Sequence, residues 1–210
     1  MTEIFNSFLN FDLAVFEWVQ SIQNPILTAI MVTITTLGDE GIIFILLGLV
    51  LLFTKKHRKA GFAILTALVV MLICNNLILK ELFARTRPYN LDETIYAWWH
   101  EIYKFPEMVH KPSSYSFPSG HTSSAFAAAL ALVFYNRKIG IPTIVFAALM
   151  GFSRIYVEVH YCTDVIGAVI VSFLYAVFAV LIVNALYPKV EPFINKVFDS
   201  ITAKFKKKKA

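Results

Sequence analysis

The stretch SRIYVEVHYCTD, residues 153–164, sets Arg154, Glu158, His160 and Asp164 between two apolar runs. Two more polar groups stand in equally apolar surroundings: KELFARTRP (80–88), with Lys80, Arg85 and Arg87, and FPSGHTSS (117–124), with Ser119, Gly120 and His121. Taken singly, each has a plain structural reading. Cations at helix ends snorkel to headgroups, a Ser-Gly pair caps a helix, and a His and an Asp four apart share a hydrogen bond. Together they suit an oxyanion with several charges. Lys80, Arg87 and Arg154 bring three positive charges, and the arginines bring forked donors matched to phosphate oxygens. The backbone N–H groups of residues 119–121, entering a helix, add uncharged donors. Two histidines are then left for chemistry: one can attack phosphorus and the other can protonate the leaving oxygen. An aspartate beside the attacker holds its tautomer and stabilises charge on the ring. No carboxylate cluster for a metal is evident, so electrostatic stabilisation falls to the cations, and neither a metal nor another cofactor is expected.

The elements that must bring these groups together are membrane helices. The chain is 58% hydrophobic and only 16% charged, with mean hydropathy +0.65, where a soluble domain carries about a quarter charged residues. The apolar runs show no strand alternation. The fold class expected is all-α, an integral membrane bundle of six spans at 25–37, 41–53, 60–79, 121–135, 139–157 and 163–187. The segment GDEG (38–41) reads as a turn between the first two, because one long span would bury Asp39 and Glu40 at its centre, at up to about 3 kcal/mol for the aspartate alone. The basic groups at 55–59, 137–138 and after 188 hold thirteen of the 19 Lys and Arg residues. Six spans with both termini cytoplasmic place them all inside, as positive-inside bias requires, and place the three polar clusters at the outer face.

Residues 1–20 lack the basic start of a cleavable signal and carry Glu3, Asp12 and Glu17; their apolar positions suggest a helix lying in the interface. The domains expected are this helix (1–20), the six-helix body (21–188) and a basic cytoplasmic tail (189–210), which reads as a topology determinant, with an anionic-lipid patch as the alternative. The net charge of +5 accompanies no nucleic-acid motif. Cys74 and Cys162 read as packing residues, too far apart in depth for a disulfide. No oligomeric state follows from the sequence.

The three clusters also form a known pattern. K-x6-R-P, P-S-G-H and S-R-x5-H-x3-D occur in the order found in the type 2 phosphatidic acid phosphatase superfamily, and the chain resembles that family from about residue 26 to 187. The resemblance implies that His160 is the nucleophile forming a phosphohistidine, Asp164 its partner, and His121 the general acid. Lys80, Arg87, Ser119, Gly120 and Arg154 would hold the phosphoryl oxygens. Arg85, outside the pattern, is read as supporting or lipid-facing. The family mechanism needs no metal.

A site at the outer helix ends can receive a phosphate headgroup while the tail stays in the bilayer, so the expected partner is a lipid phosphate. The compact form resembles bacterial members acting on undecaprenyl diphosphate, the preferred substrate here; phosphatidylglycerophosphate and phosphatidate are the alternatives. The connection 83–120 is longer than most loops, and its segment 91–105 reads as an amphipathic wall of the site or an aromatic anchor. His100 and His110 read as loop histidines. A reading of another class is a membrane transporter or lipid-binding protein that holds an anion without hydrolysis. Binding alone would not require two histidines and Asp164. A haloperoxidase of related fold is opposed by the spans.

Overall fold

Helix starts are written into the chain at two asparagines. Asn24 accepts the Leu27 N–H at 3.0 Å, with Pro25 in the first helical position. Asn136 accepts the N–H groups of Lys138 and Ile139 at 3.1 and 3.3 Å. Both side chains satisfy donors that a helix N-terminus leaves open. The structure, a computed structural model, describes residues 2–91, 109 and 112–207. Its helices are α1 (Thr2–Ile22), α2 (Pro25–Leu37), α3 (Ile42–Phe53), α4 (Arg58–Met71), α5 (Gly120–Tyr135), α6 (Arg137–Tyr156) and α7 (Cys162–Lys207). Helix α4 is prolonged by a π-helical stretch, Leu72–Leu79, and a last turn, Lys80–Phe83. No strand occurs among the described residues.

Helix α5 is the axis of the bundle. Ala125, Ala127, Ala128, Ala129, Ala131 and Leu132 are all fully buried within the main core, and such small side chains let neighbouring backbones approach closely. Glycine serves the same end between α3 and α4, where a Cβ on Gly61 would lie 2.6 Å from the Gly48 carbonyl oxygen.

Among the described residues, three helical runs are long and apolar enough to cross a membrane: Arg58–Asn90, Arg137–Tyr156 and Cys162–Ile201. The 16-residue α5 is shorter and apolar. The two spans expected on either side of GDEG meet a different arrangement. Helices α2 and α3 are bent by only 49° at the break, whereas a turn between separate spans would reverse the chain. Contacts with α6 descend in order. Thr28 meets Tyr156 at 2.8 Å, Thr35 meets Arg154, Gly38 faces Met150, and Phe44 packs against Phe146 with ring centroids 6.1 Å apart. The pair is thus one broken run antiparallel to α6. Positive φ at Glu40 (52°) and Gly41 (68°) makes the break.

Helix α1 lies across the end of the bundle where Arg85, Tyr161 and Thr163 are found. At the opposite end, the start of α4 joins the C-terminal half of α7, through Arg58 to Asn195 and to Asp199 at 3.1 Å. Helix α1 and the C-terminal half of α7 thus pack at opposite ends of the bundle. Helix α1 is packed into the body: Asp12, Leu13, Phe16 and Val19 are buried. The boundary expected at 188 falls inside the continuous α7.

After α6, Glu158 adopts a positive φ of 54° and carries its carboxyl to 2% exposure. Burial pushes its pKa up from 4.5 to about 7, against a hydrogen bond with Gln20 that favours the anion. Between those values the folded protein keeps a proton that the unfolded chain has lost. The associated stability is complete below about pH 4.5 and is lost as pH rises through 7, by no more than about 3 kcal/mol. The thermal midpoint in detergent should fall between pH 5 and 8 and fall less in Glu158→Gln. Parallel decline in both proteins would refute this.

Candidate active site

The three polar clusters of the sequence converge on one cavity of about 240 Å³, with Lys80, Arg87, Gly120, His121, Arg154 and His160 on its wall. Lys80 and Arg87 do not share one helix face, as their seven-residue spacing suggests for an unbroken helix. The helix stops at Phe83, Ala84 takes a left-handed φ of 44°, and Arg87 is extended. Their side chains instead meet at Ser114, whose hydroxyl is 3.0 Å from Lys80 Nζ and 3.2 Å from Arg87 Nη2. The π-helical stretch before Lys80 inserts a wide turn, a device frequent at functional sites. It buries Asn75, whose side-chain oxygen accepts the Ser123 hydroxyl at 3.0 Å.

His160 is 1% exposed at the cavity wall. Its Nε2 lies 3.2 Å from Arg87 Nη1, and its Nδ1 lies 3.4 Å from Asp164 Oδ2. A guanidinium has no acceptor, so Nε2 must be the unprotonated nitrogen and Nδ1 carries the hydrogen. Burial, reinforced by the charges of Arg87, Arg154 and Lys80, holds the His160 pKa well below 6.5. The ring is therefore neutral at pH 7, with a lone pair on Nε2. Asp164, fully buried, also accepts the Tyr161 N–H at 3.0 Å and the Ser116 hydroxyl.

Arg154, 2% exposed, is held by Thr35, and its buried Nε has no hydrogen-bond partner among the described residues. A buried donor in a polar cavity is costly unless a ligand or water satisfies it. Gly120 opens α5, and a Cβ there would approach Lys80 Nζ only to 3.9 Å. The backbone N–H groups entering α5 therefore stand at a helix N-terminus that favours anions. Ser119 is placed differently from the rest of the set: its hydroxyl accepts from Thr122 at 2.9 Å and is not on the cavity wall.

Sequence reasoning passed over several groups. Asp39, assigned to a turn, has Oδ1 2.8 Å from His121 Nε2, and Glu40 lines the cavity. Ser114 and Ser116 signal themselves only by standing just before PSGH. Arg85 is buried, not lipid-facing. The segment 91–105 and His100 and His110 lie, except for Leu91, outside the described residues.

The chain is similar to known proteins. Undecaprenyl-diphosphatase BcrC of Bacillus subtilis is 32% identical over 196 residues, covering 88% of this chain and 89% of that protein. Phosphatidylglycerophosphatase B of the same organism is 29% identical over 176 residues, 77% of this chain and 78% of that one. A crystal structure of a transmembrane PAP2 type phosphatidylglycerolphosphate phosphatase from B. subtilis superposes with a TM-score of 0.62 at 28% identity, covering 88% of each chain. The PAP2 superfamily model matches residues 42–188, a segment that contains every cation and both histidines of the cavity; the chain belongs to the PAP2 superfamily.

Proposed function

We propose that this protein is a membrane lipid phosphatase that works without a metal, through a phosphohistidine on His160. The observation that carries the reading is the placement of that ring: Nε2 lies 3.2 Å from Arg87 Nη1 at the wall of a cavity bearing Lys80, Arg87 and Arg154, with Nδ1 turned to Asp164. A phosphate entering the cavity takes the donors of these three residues and of the α5 N-terminus, including the free Arg154 Nε. His160 Nε2 attacks phosphorus, a P–N bond forms, and the P–O bond to the lipid breaks. His121 gives its proton to the leaving oxygen. Asp164 balances the charge on the phosphorylated ring through Nδ1–H. Water then attacks phosphorus, His121 takes its proton, the P–N bond breaks and phosphate leaves. Asp39, at 2.8 Å, holds the His121 ring for both steps.

Undecaprenyl diphosphate is the substrate favoured, supported by the naming of a relative that matches along nearly its whole length. Phosphatidylglycerophosphate is the second reading, supported by the likeness to a phosphatase of that lipid. The test is phosphate release by purified protein from undecaprenyl diphosphate, phosphatidylglycerophosphate and phosphatidate, with a chelator present. Fastest release from the diphosphate is expected; no release from any of the three would defeat the reading.

The cavity faces the outer side of the membrane in this proposal. The support is the clustering of Lys55, Lys56, Arg58, Lys59, Arg137 and Lys138 at the opposite end, where positive-inside bias places cytoplasmic turns. The C-terminus is then cytoplasmic and α1 external. In a variant with Cys74 and Cys162 replaced, Ser7→Cys should react with an impermeant maleimide on intact cells and Lys138→Cys should not. The reverse pattern would invert the topology.

A further inference from the structure

Asp12 stands thirty residues before the segment that the family model matches, yet it is fully buried and joined to the catalytic pair. Its Oδ1 accepts the Thr163 N–H at 2.9 Å, and its Oδ2 accepts the Thr163 hydroxyl at 2.6 Å and Arg85 Nη2 at 2.7 Å. The other end of the same guanidinium, Nη1, donates to Asp164 Oδ1 at 2.5 Å and to the Thr163 hydroxyl at 2.7 Å. Asp164 is left with Oδ2 for His160 Nδ1. The guanidinium carbon also lies over the rings of Phe5 and Tyr161, 4.4 and 3.9 Å from their centroids, and such cation–π contacts help to hold its place.

Charge explains why one arginine should bridge two buried acids. A guanidinium on Asp164 alone would cancel the field that Asp164 exerts on His160, and the ring becomes cationic once phosphorylated. A second carboxylate on the far nitrogen leaves the three groups with a net charge of −1. We propose that Asp12, acting through Arg85, is a positioning residue for the His160–Asp164 pair: it fixes the guanidinium so that Asp164 Oδ2 stays turned to Nδ1, and it offsets the guanidinium charge so that Asp164 acts as an anion. This rests on the reading of His160 as the nucleophile. The N-terminal helix thereby completes the site electrostatically. The other charged and titratable groups facing His160 are Lys80 from the end of α4, Arg87, His121 from α5, Arg154 from α6, and Glu40 across the cavity. None of these contacts Asp12.

The test compares Asp12→Asn, Arg85→Gln and the double variant, each as full-length protein in lipid nanodiscs. Asp12→Asn keeps shape and acceptor and removes one charge. Its kcat should fall about 10- to 100-fold with KM within about twofold, the scale seen when a partner behind a functional histidine is removed. The His160 imidazole, followed by 15N NMR, should titrate about half a pH unit lower than in the wild type, because the uncompensated guanidinium opposes protonation. The double variant loses both charges and should return the titration to the wild-type position. A merely structural contact would lower the unfolding temperature without moving the titration, as Val19→Ala on the same helix should. An unmoved His160 titration in Asp12→Asn, or a double variant shifted as far as the single one, overturns the proposal. Because this titration is read without turnover, it stands apart from the functional reading, which fails instead if the wild type hydrolyses no lipid phosphate.

Discussion

His160→Ala should lose at least about 10⁴-fold in kcat on every lipid phosphate the protein hydrolyses, the scale of removing a nucleophile whose partners act only with it. The cavity would keep its cations, so substrate should still bind, and KM should change far less than kcat. The wild type, quenched in base within a turnover, should carry phosphate in an acid-labile, base-stable linkage, as a P–N bond requires; the variant should carry none. Retention of turnover by His160→Ala would refute the nucleophile assignment. The same result separates hydrolysis from simple anion binding: a binding protein would lose affinity on losing Arg87 or Arg154 and have no reaction for His160 to affect.

The second large effect concerns His121, and its size should depend on the leaving group. A lipid monoester leaves as an alkoxide, which needs a proton in the transition state, and a positioned acid contributes about 10²- to 10⁴-fold. A lipid diphosphate leaves as a monophosphate, already a stable anion near neutral pH. His121→Ala should therefore lose about 10³-fold on phosphatidate and much less on undecaprenyl diphosphate. An equal loss on both would mean that His121 acts chiefly on the second, water-activating step, or by holding the phosphoryl oxygens. Asp39→Asn should show the same dependence on leaving group in weaker form, since Asp39 meets the substrate only through the imidazole it contacts at 2.8 Å.

The 49° bend at GDEG has a definite physical origin. Two glycines flanking two acids look like a turn, and the cost of carboxylates in hydrocarbon argues for placing them outside it. That cost applies to lipid exposure. Here the irregular backbone lines a polar cavity, Asp39 pairs with His121 and Glu40 faces the cations, the setting in which broken helices are tolerated at membrane depth. The acids are there for the site, and sequence periodicity has no means of distinguishing a cavity wall from lipid. The seven-residue spacing of Lys80 and Arg87 would put them on one face only of an unbroken helix. Ala84, with its left-handed backbone, ends the helix where no glycine or proline signals a stop.

The sequence by itself determined the all-helical membrane class, because long apolar runs without alternation have no other stable arrangement in a bilayer. It also singled out Lys80, Arg87, His121, Arg154, His160 and Asp164 as candidates, because they lie within short stretches whose spacing is meaningful on its own. Tertiary structure alone decided what stands behind them. Asp12 meets Thr163 across 151 residues and Arg85 across 73, and Asp39 meets His121 across 82. Contacts at such separations leave no period, spacing or composition in the chain. They follow from one broken helix lying along α6 and one amphipathic helix lying across the bundle's end, and packing settles both.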